Sequence, residues 1–146
     1  MSKIDLNLPN ERIIATMVEL ARCSKLHRII LVGSNGSDHE LALHRRGYHR
    51  IATTASCGLP RGQYDAAFVE WELNSIKALE TTLDWLVHFL AAAGVLVIWI
   101  APHTDHQRLG SMLERLGFRV EAGTRCERGL AVSARRLDAV QQPIAA

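Results

Sequence analysis

Three short runs of apolar residues place the strongest constraint on how this chain can fold. They occupy Ile29–Val32, residues 66–69 and residues 95–101. Continuous apolar runs of this length, with no polar residues in alternation, are typical of strands that are covered on both faces. Such strands occur in parallel sheets, whose neighbouring strands are joined by helical crossovers. The runs therefore predict an α/β domain with a mostly parallel sheet.

The segments around these runs carry the helical pattern that crossovers require. Apolar residues recur at helical spacing over residues 13–21, 76–90 and 109–116. Pro9 marks the predicted first turn of the opening helix, because proline is tolerated at that position and its φ suits a helix. A shorter helix with Leu41 and Leu43 turned inward is predicted between the first two strands. Each predicted parallel strand thus has a helix beside it in the sequence.

Local sequence signals predict where these helices begin and end. Ser37 and Thr104 each begin a match to the capping box, in which two side chains satisfy backbone N–H groups of the first helical turn. Asn74 or Ser75 is the predicted cap of the long third helix. Glycine can adopt the left-handed conformation that closes a helix, so three glycines predict helix ends: Gly47, Gly94 and Gly117.

The predicted elements follow one another as α-β-α-β-β-α-β-α-β-β. They include a strand at residues 48–54 and a hairpin made of residues 118–122 and 129–134, joined by a polar connection. Helices on both faces of the sheet predict a three-layer Rossmann-like fold with about six strands. At 146 residues the chain fits one such domain, with residues 1–8 and 137–146 expected to be loose.

Composition narrows the classes of partner, cofactor and location. The formal net charge of +2 does not favour a nucleic-acid partner, although Arg45, Arg46 and Arg50 lie close together in the sequence. The three cysteines include no Cys-x-x-Cys pair, so no metal is expected. The most apolar stretch, residues 86–102, is shorter than the about 20 residues that span a bilayer as a helix. With no secretory signal visible, a cytoplasmic location without membrane contact is expected.

Ligands of such sheets bind beyond the carboxyl ends of the strands, where successive connections leave in opposite directions. Three loops are predicted to meet there, and they begin at Gly33, Glu70 and Ala101. Glycines between a strand and a helix permit a tight turn and close approach of the backbone to a ligand. The sequence therefore offers these candidate cofactor-binding residues: Gly33, Ser34, Asn35, Gly36, Ser37, Asp38, Glu70 and Trp71.

These residues also have structural explanations. Gly, Ser and Asn are expected in any strand-to-helix turn, and Glu70 and Glu72 are expected as acids before a helix N-terminus. His39 is expected to be exposed in the first turn of its helix. His103 and His106 are expected to be polar loop residues, because no supporting ligand spacing surrounds them. No residue is assigned a catalytic role.

Four segments follow one another in an order that is found in a known family. They are Ile29-Ile30-Leu31-Val32-Gly33-Ser34-Asn35-Gly36, Tyr64-Asp65-Ala66-Ala67-Phe68-Val69-Glu70, Leu90-Ala91-Ala92-Ala93-Gly94-Val95-Leu96-Val97-Ile98 and Leu116-Gly117-Phe118-Arg119-Val120. The series resembles the class I S-adenosylmethionine-dependent methyltransferases over residues 28–136. The resemblance implies a Rossmann-like methyltransferase fold with S-adenosylmethionine as its cofactor.

The departures from that family shape the functional hypotheses. Ser34 and Ser37 interrupt the closely spaced glycines of its first loop, and residues 52–55 lack the acidic residue that holds the ribose hydroxyls. Residues 56–63 are too few for the helix and strand that help to enclose the adenine. We therefore expect a domain that binds the cofactor poorly or not at all and acts through a protein partner or a homodimer. The alternative is an active small methyltransferase in which the backbone of residues 33–36 holds the methionine part of the cofactor.

Overall fold

The computed structural model describes residues 3–33, 35–53, 62–71 and 75–137. Its helices are α1 (Lys3–Ala21), α2 (Gly36–Arg45), α3 (Ile76–Leu86) and α4 (His106–Arg115), and a 3₁₀ turn at Val87–Phe89 follows α3. Its strands are β1 (Ile29–Val32), β2 (Ile51–Thr53), β3 (Tyr64–Trp71), β4 (Leu90–Ile100), β5 (Phe118–Cys126) and β6 (Gly129–Arg136). The predicted order of elements is confirmed.

The described strands form one six-stranded sheet in the order β2-β1-β3-β4-β6-β5. β1 pairs in parallel with β2 and with β3, and β3 pairs in parallel with β4. β6 runs antiparallel to both β4 and β5, so a hairpin forms the other edge of the sheet. The predicted Rossmann-like α/β fold, mostly parallel with an antiparallel hairpin, is confirmed.

Apolar side chains fill a separate core on each face of the sheet. Alternation along β3 shows why its central residues 66–69 are all apolar, since successive side chains point to opposite faces and both faces are covered. Ala66 and Phe68 join the core beneath α1 and α2, whereas Ala67 and Val69 join the core beneath α3 and α4. The helices contribute fully buried side chains to these cores, each worth about 1.5–3 kcal/mol when an aliphatic or aromatic group is removed from water: Ile14, Met17, Leu43, Leu79, Leu83, Met112 and Leu113.

The helix starts differ from the predicted capping boxes. α2 begins at Gly36, so Ser37 lies inside the helix, and the N-cap residue Asn35 makes no side-chain hydrogen bond to the helix end. α4 is capped by Asp105, whose carboxylate accepts hydrogen bonds from the first-turn backbone, and the predicted start at Thr104 is wrong by one residue. Ser75 caps α3 by accepting from the backbone N–H of Ala78, as predicted. A carboxylate one residue further along therefore replaces the Thr104 hydroxyl.

The predicted end of the third helix at Gly94 is wrong. α3 ends at Leu86, and Leu90 already lies in β4, where it pairs with Tyr64. The pairing register shifts between Leu90 and Val95, because Val95 pairs with Ala66. Leu90 is fully buried, so its apolar character fits the helical pattern and the strand equally well. Pairing with Tyr64 of β3 is what places Leu90 in a strand rather than in the helix.

The hairpin is longer than the sequence predicts. β5 continues to Cys126, so the polar residues 123–126 belong to a strand and only Glu127 and Arg128 form the turn. Residues 119–125 are all exposed, which hides the alternation by which strands are recognised. Both turn residues have positive φ, 46° for Glu127 and 65° for Arg128, as a tight two-residue hairpin turn requires.

The ends of several elements can be compared with their predicted positions. α1 begins at Lys3 rather than at Pro9, and β2 is shorter than the predicted strand at residues 48–54. The prediction that Leu41 turns inward is wrong, because its side chain is exposed, whereas Leu43 is buried as predicted. Gly47 and Gly117 follow their helices with φ of 92° and 89°, which confirms them as left-handed residues at helix ends. Most of the short connection at residues 56–63 and nearly all of the tail after residue 136 lie outside the described residues.

Replacement of Gly129 by alanine is expected to destabilise the hairpin. An added Cβ would lie 2.5 Å from the Trp99 ring and from the carbonyl oxygen of Ile100, and neither group can move easily because both belong to β4. Overpacking of this kind costs about 1–3 kcal/mol. Chemical denaturation monitored by circular dichroism measures the loss.

Gly110→Ala is the matched control, because nothing lies within 4 Å of its added Cβ. Gly110 lies within α4. Alanine is expected there to stabilise the protein by about 0.5–1 kcal/mol, since it restricts the unfolded chain more than glycine does. Equal effects of the two substitutions would contradict the packing described for Trp99.

Candidate functional site

The carboxyl ends of β1, β3 and β4 lie at one edge of the sheet, because these strands are parallel neighbours. The loops predicted to form a site begin there. The connection after β1 runs through α2 to β2 on one side, and the connection after β3 runs through α3 to β4 on the other. The crossovers thus leave in opposite directions between β1 and β3, which is where ligands bind in such sheets.

Glu70, at the end of β3, is the centre of a polar cluster at this point. Its Oε1 lies 2.9 Å from Nε2 of His39 in α2 and accepts a hydrogen bond of 3.0 Å from Nδ2 of Asn35. Glu70 and His39 are 6% and 3% exposed. We call these residues, Asn35, His39 and Glu70, the Glu70 cluster. It joins the carboxyl end of β3 to the loop after β1 and to the first turn of α2.

The electrostatics of the cluster favour an ionised Glu70. Burial raises the pKa of a carboxyl group, but the hydrogen bond and the charge of His39, with the hydrogen bond from Asn35, lower the pKa of Glu70 below its ordinary value. An ionised carboxylate only accepts hydrogen bonds, so Nε2 of His39 carries the proton. Nδ1 of His39 is buried and has no hydrogen-bond partner in the described part of the chain.

Gly33 brings the backbones of β1 and β3 into close contact beside the cluster. Its φ is +137°, and an added Cβ would lie 2.9 Å from the carbonyl oxygen of Glu70. Gly36 differs, because a Cβ there would make only an ordinary 3.5 Å contact with the Thr53 side chain. Packing against β3 therefore requires glycine at position 33, whereas space remains beside position 36.

The other predicted site residues have separate surroundings. Ser37 is exposed, and exposed Asp38 accepts a hydrogen bond of 3.4 Å from Asn10 of α1. Trp71 packs against the core beneath α3 and α4, on the opposite face of the sheet from Glu70, and its buried indole N–H has no described partner. Ser34 and Glu72 lie outside the described residues.

His39 is the site residue that sequence reasoning placed wrongly. It was expected to be exposed, but it is buried with Ala42 and Leu43 on the inward face of α2. The spacing of three and four residues to these apolar positions is a signal that could have located it. A histidine on that face needs a polar partner inside the protein, and Glu70 provides one.

The described residues hold no group of three or more side chains that could bind a metal ion. His103 and His106 are both exposed. His103 lies in the connection before α4, as expected of a loop residue, whereas His106 is the first residue of α4 and is not a loop residue. No helix in the described ranges is long and apolar enough to cross a membrane.

Comparison with known proteins identifies the fold. No protein-family profile and no curated protein matches the sequence. Among solved structures, the chain is similar to an S-adenosylmethionine-dependent methyltransferase from Aquifex aeolicus, with a TM-score of 0.70 and 12% identity, covering 93% of this chain and 94% of the other.

Two further structures show the range of proteins with this architecture. A Haloferax volcanii complex that contains the Trm112 methyltransferase activator matches with a TM-score of 0.70 and 7% identity, covering 91% of this chain and 92% of the other. The [4+2]-cyclase SpnF matches with a TM-score of 0.65 and 12% identity, covering 88% of this chain and 82% of the other. The chain has the class I methyltransferase-like fold.

Proposed function

We propose that this chain is a methyltransferase-like domain that has lost S-adenosylmethionine binding and acts by associating with a second copy of itself or with a protein partner. The observation that carries the proposal is the Glu70 cluster. Asn35 and Glu70, two of the residues expected to hold a cofactor, are hydrogen-bonded to each other instead. A ligand that bound Glu70 Oε1 or the Asn35 amide N–H in place of its present partner would have to break this bond.

The energetic argument follows from burial. A carboxylate removed from water is stable only when hydrogen bonds replace its hydration, and Glu70 has such bonds from His39 and Asn35. Leaving one buried polar group without its partner costs about 1–3 kcal/mol. A cofactor would have to recover that cost before it gained any net affinity, so the cluster opposes binding.

The end of β2 supports the same conclusion. Thr53 is the last residue of β2, and the residues that follow it in the sequence are Thr54 and Ala55. None of these side chains is a carboxylate that could accept hydrogen bonds from the two ribose hydroxyls. The adenosine part of the cofactor would therefore lack the ribose contact that the methyltransferase resemblance implies.

The outer edge of β5 supports association. β5 is the edge strand of the sheet, and its residues 119–125 are exposed, including Val120 at 44%. An exposed edge strand presents unpaired N–H and C=O groups that can pair with a strand of another chain. One similar structure is itself a complex with an activator protein. We assign the association to this edge.

A second candidate function is an active small methyltransferase. It is favoured by the buried Nδ1 of His39, which lacks a hydrogen-bond partner in the described residues. Buried polar groups are usually satisfied, so an unpaired nitrogen beside the ligand-binding edge is the feature expected where a ligand completes the site. The fold shared with methyltransferases agrees with it, although one fold can host many reactions.

Calorimetric titration separates the two functions. We expect no saturable binding of S-adenosylmethionine or S-adenosylhomocysteine up to about 1 mM, a limit that corresponds to a binding free energy of about 4 kcal/mol. Micromolar binding that is lost in Gly36→Val would overturn the proposal. Gly36 suits this control because an added Cβ makes only an ordinary 3.5 Å contact with Thr53, whereas a Cβ at Gly33 would lie 2.9 Å from the carbonyl oxygen of Glu70.

Glu70→Gln is expected to lower the free energy of unfolding by about 2 kcal/mol at neutral pH, because the buried pair with His39 loses its charge. The pKa of Glu70 is lowered in the folded protein, so its contribution is present above the ordinary value of 4.5 and disappears as the pH falls through the folded-state pKa. The difference between wild type and variant should therefore shrink below pH 4.5. Urea denaturation across this pH range measures it.

Glu40→Gln is the matched control for that experiment. Glu40 contacts His44 at 3.6 Å on the surface of α2, and both side chains are more than one third exposed. Exposed pairs of this spacing contribute at most about 0.5 kcal/mol. An effect of Glu40→Gln equal to that of Glu70→Gln would show that burial of the Glu70 pair contributes nothing.

Val120→Lys is expected to weaken self-association at the β5 edge at least about tenfold, since a charged side chain on an edge strand opposes strand pairing. Sedimentation equilibrium measures the dissociation constant. Leu41→Lys is the control, because Leu41 is an exposed apolar residue on α2, away from this edge. A wild-type protein that is dimeric and unaffected by Val120→Lys would exclude β5 as the interface.

A further inference from the structure

A concave region lies at the carboxyl edge of the sheet, on the side of the hairpin and apart from the Glu70 cluster. It is a cavity of about 420 Å³ between the connection from β4 to α4 and the turn from β5 to β6. Pro102 and His106 line it on one side, and Arg125 and Arg128 line it on the other. Because Ile100 pairs with Leu130, the turn stands beside the end of β4. The volume falls within the usual range for small-molecule sites, about 300–1,000 Å³.

The charges that face this cavity are unbalanced. Arg125 and Arg128 form no ion pair within the described part of the chain. Glu127 lies between the two arginines in the sequence. Its carboxylate forms an ion pair of 3.0 Å with Arg12 of α1. Asp105 does not line the cavity, and its carboxylate accepts hydrogen bonds from the backbone N–H groups of Gln107 and Arg108. The cavity therefore has an excess of positive charge.

The hairpin segment that carries Arg125 and Arg128 is held in place by contacts with β4 and α1. The Trp99 ring packs directly against Gly129, and its indole N–H donates a hydrogen bond of 2.8 Å to the carbonyl oxygen of Cys126. The thiol of Cys126 in turn lies 3.7 Å from the carbonyl oxygen of Arg12. These contacts fix both ends of the turn on the sheet and on α1.

The turn is also strained. Glu127 and Arg128 both have left-handed φ, a conformation in which such turns favour asparagine and glycine. Strained backbone at residues that line a cavity is often associated with function. A glycine at position 128 would relieve the strain, but it would also remove the Arg128 guanidinium group from the cavity.

We propose that this cavity binds a small ligand that carries a phosphate group. Guanidinium groups present paired N–H donors whose geometry matches phosphate oxygens, and two of them face one cavity here. A phosphate dianion would supply negative charge to Arg125 and Arg128, because the acidic side chain that the described residues place in the cavity, Glu127, is paired with Arg12. The proposal does not depend on loss of S-adenosylmethionine binding, because the Glu70 cluster contains none of the residues that line this cavity.

Inorganic pyrophosphate is the probe that tests the proposal, with acetate as a carboxylate and a single-stranded oligonucleotide as a polymer. We expect saturable binding of pyrophosphate, measured by calorimetry on the full chain at low ionic strength. Arg125→Ala should weaken it about tenfold or more, because a charge-assisted hydrogen bond is lost. Acetate should bind at least about tenfold more weakly than pyrophosphate.

Arg128→Gly distinguishes a binding role from a structural one. It removes one guanidinium and relieves the left-handed strain, so the variant should unfold at a higher temperature than the wild type while binding pyrophosphate at least tenfold more weakly. Loss of binding in a protein of raised thermal stability cannot come from misfolding. Arg108→Ala is the control, because Arg108 is exposed on α4 and does not line this cavity.

Three outcomes would overturn the proposal. The first is absence of saturable pyrophosphate binding to the wild-type protein. The second is an equal loss of binding in Arg108→Ala, which would indicate a general effect of surface charge. The third is preferential binding of the oligonucleotide that Arg50→Ala weakens as much as Arg125→Ala does, since that would indicate a nucleic-acid surface rather than a small-molecule site.

Discussion

Glu70 places a carboxylate in the layer between the sheet and α2, and much of the architecture at this edge follows from how that charge is accommodated. A buried carboxylate is tolerated only with nearby donors, and His39 and Asn35 supply them from the helix and loop that follow β1. Gly33 allows the necessary approach, because any larger residue would collide with the backbone of Glu70. The end of β3, the loop after β1 and the start of α2 are thereby fixed relative to one another.

The same edge of the sheet carries two regions of contrasting chemistry. Around Glu70, Oε1 of the carboxylate is paired with His39 and Asn35 within the protein, whereas the buried Nδ1 of His39 has no partner among the described residues. Around the hairpin turn, Arg125 and Arg128 line a cavity and form no ion pair with any residue that the structure describes. Since the fold shared with methyltransferases and a cyclase does not determine the reaction, these local differences are better guides to function than the architecture.

The sequence predicts those parts of the fold in which one signal dominates. The apolar run at residues 66–69 was predicted as a strand and forms the centre of β3, because a segment that is buried on both faces is apolar without alternation and has no competing pattern. Leu90 shows the opposite case, since a buried leucine satisfies both a helix and a strand, and only pairing with Tyr64 decides between them. His39 could not be assigned to the Glu70 cluster from local sequence, because its partner lies 31 residues further along the chain.

The hairpin turn illustrates how distant contacts can hold a conformation that the local sequence disfavours. Glu127 and Arg128 adopt left-handed φ although neither is glycine or asparagine. The conformation persists because the surroundings determine it, through Trp99 beneath Gly129 and Arg12 bound to Glu127. The ion pair with Arg12 also neutralises the one acidic side chain of the turn. The contacts that maintain the strained backbone therefore also leave the positive charge of Arg125 and Arg128 directed at the cavity without compensation.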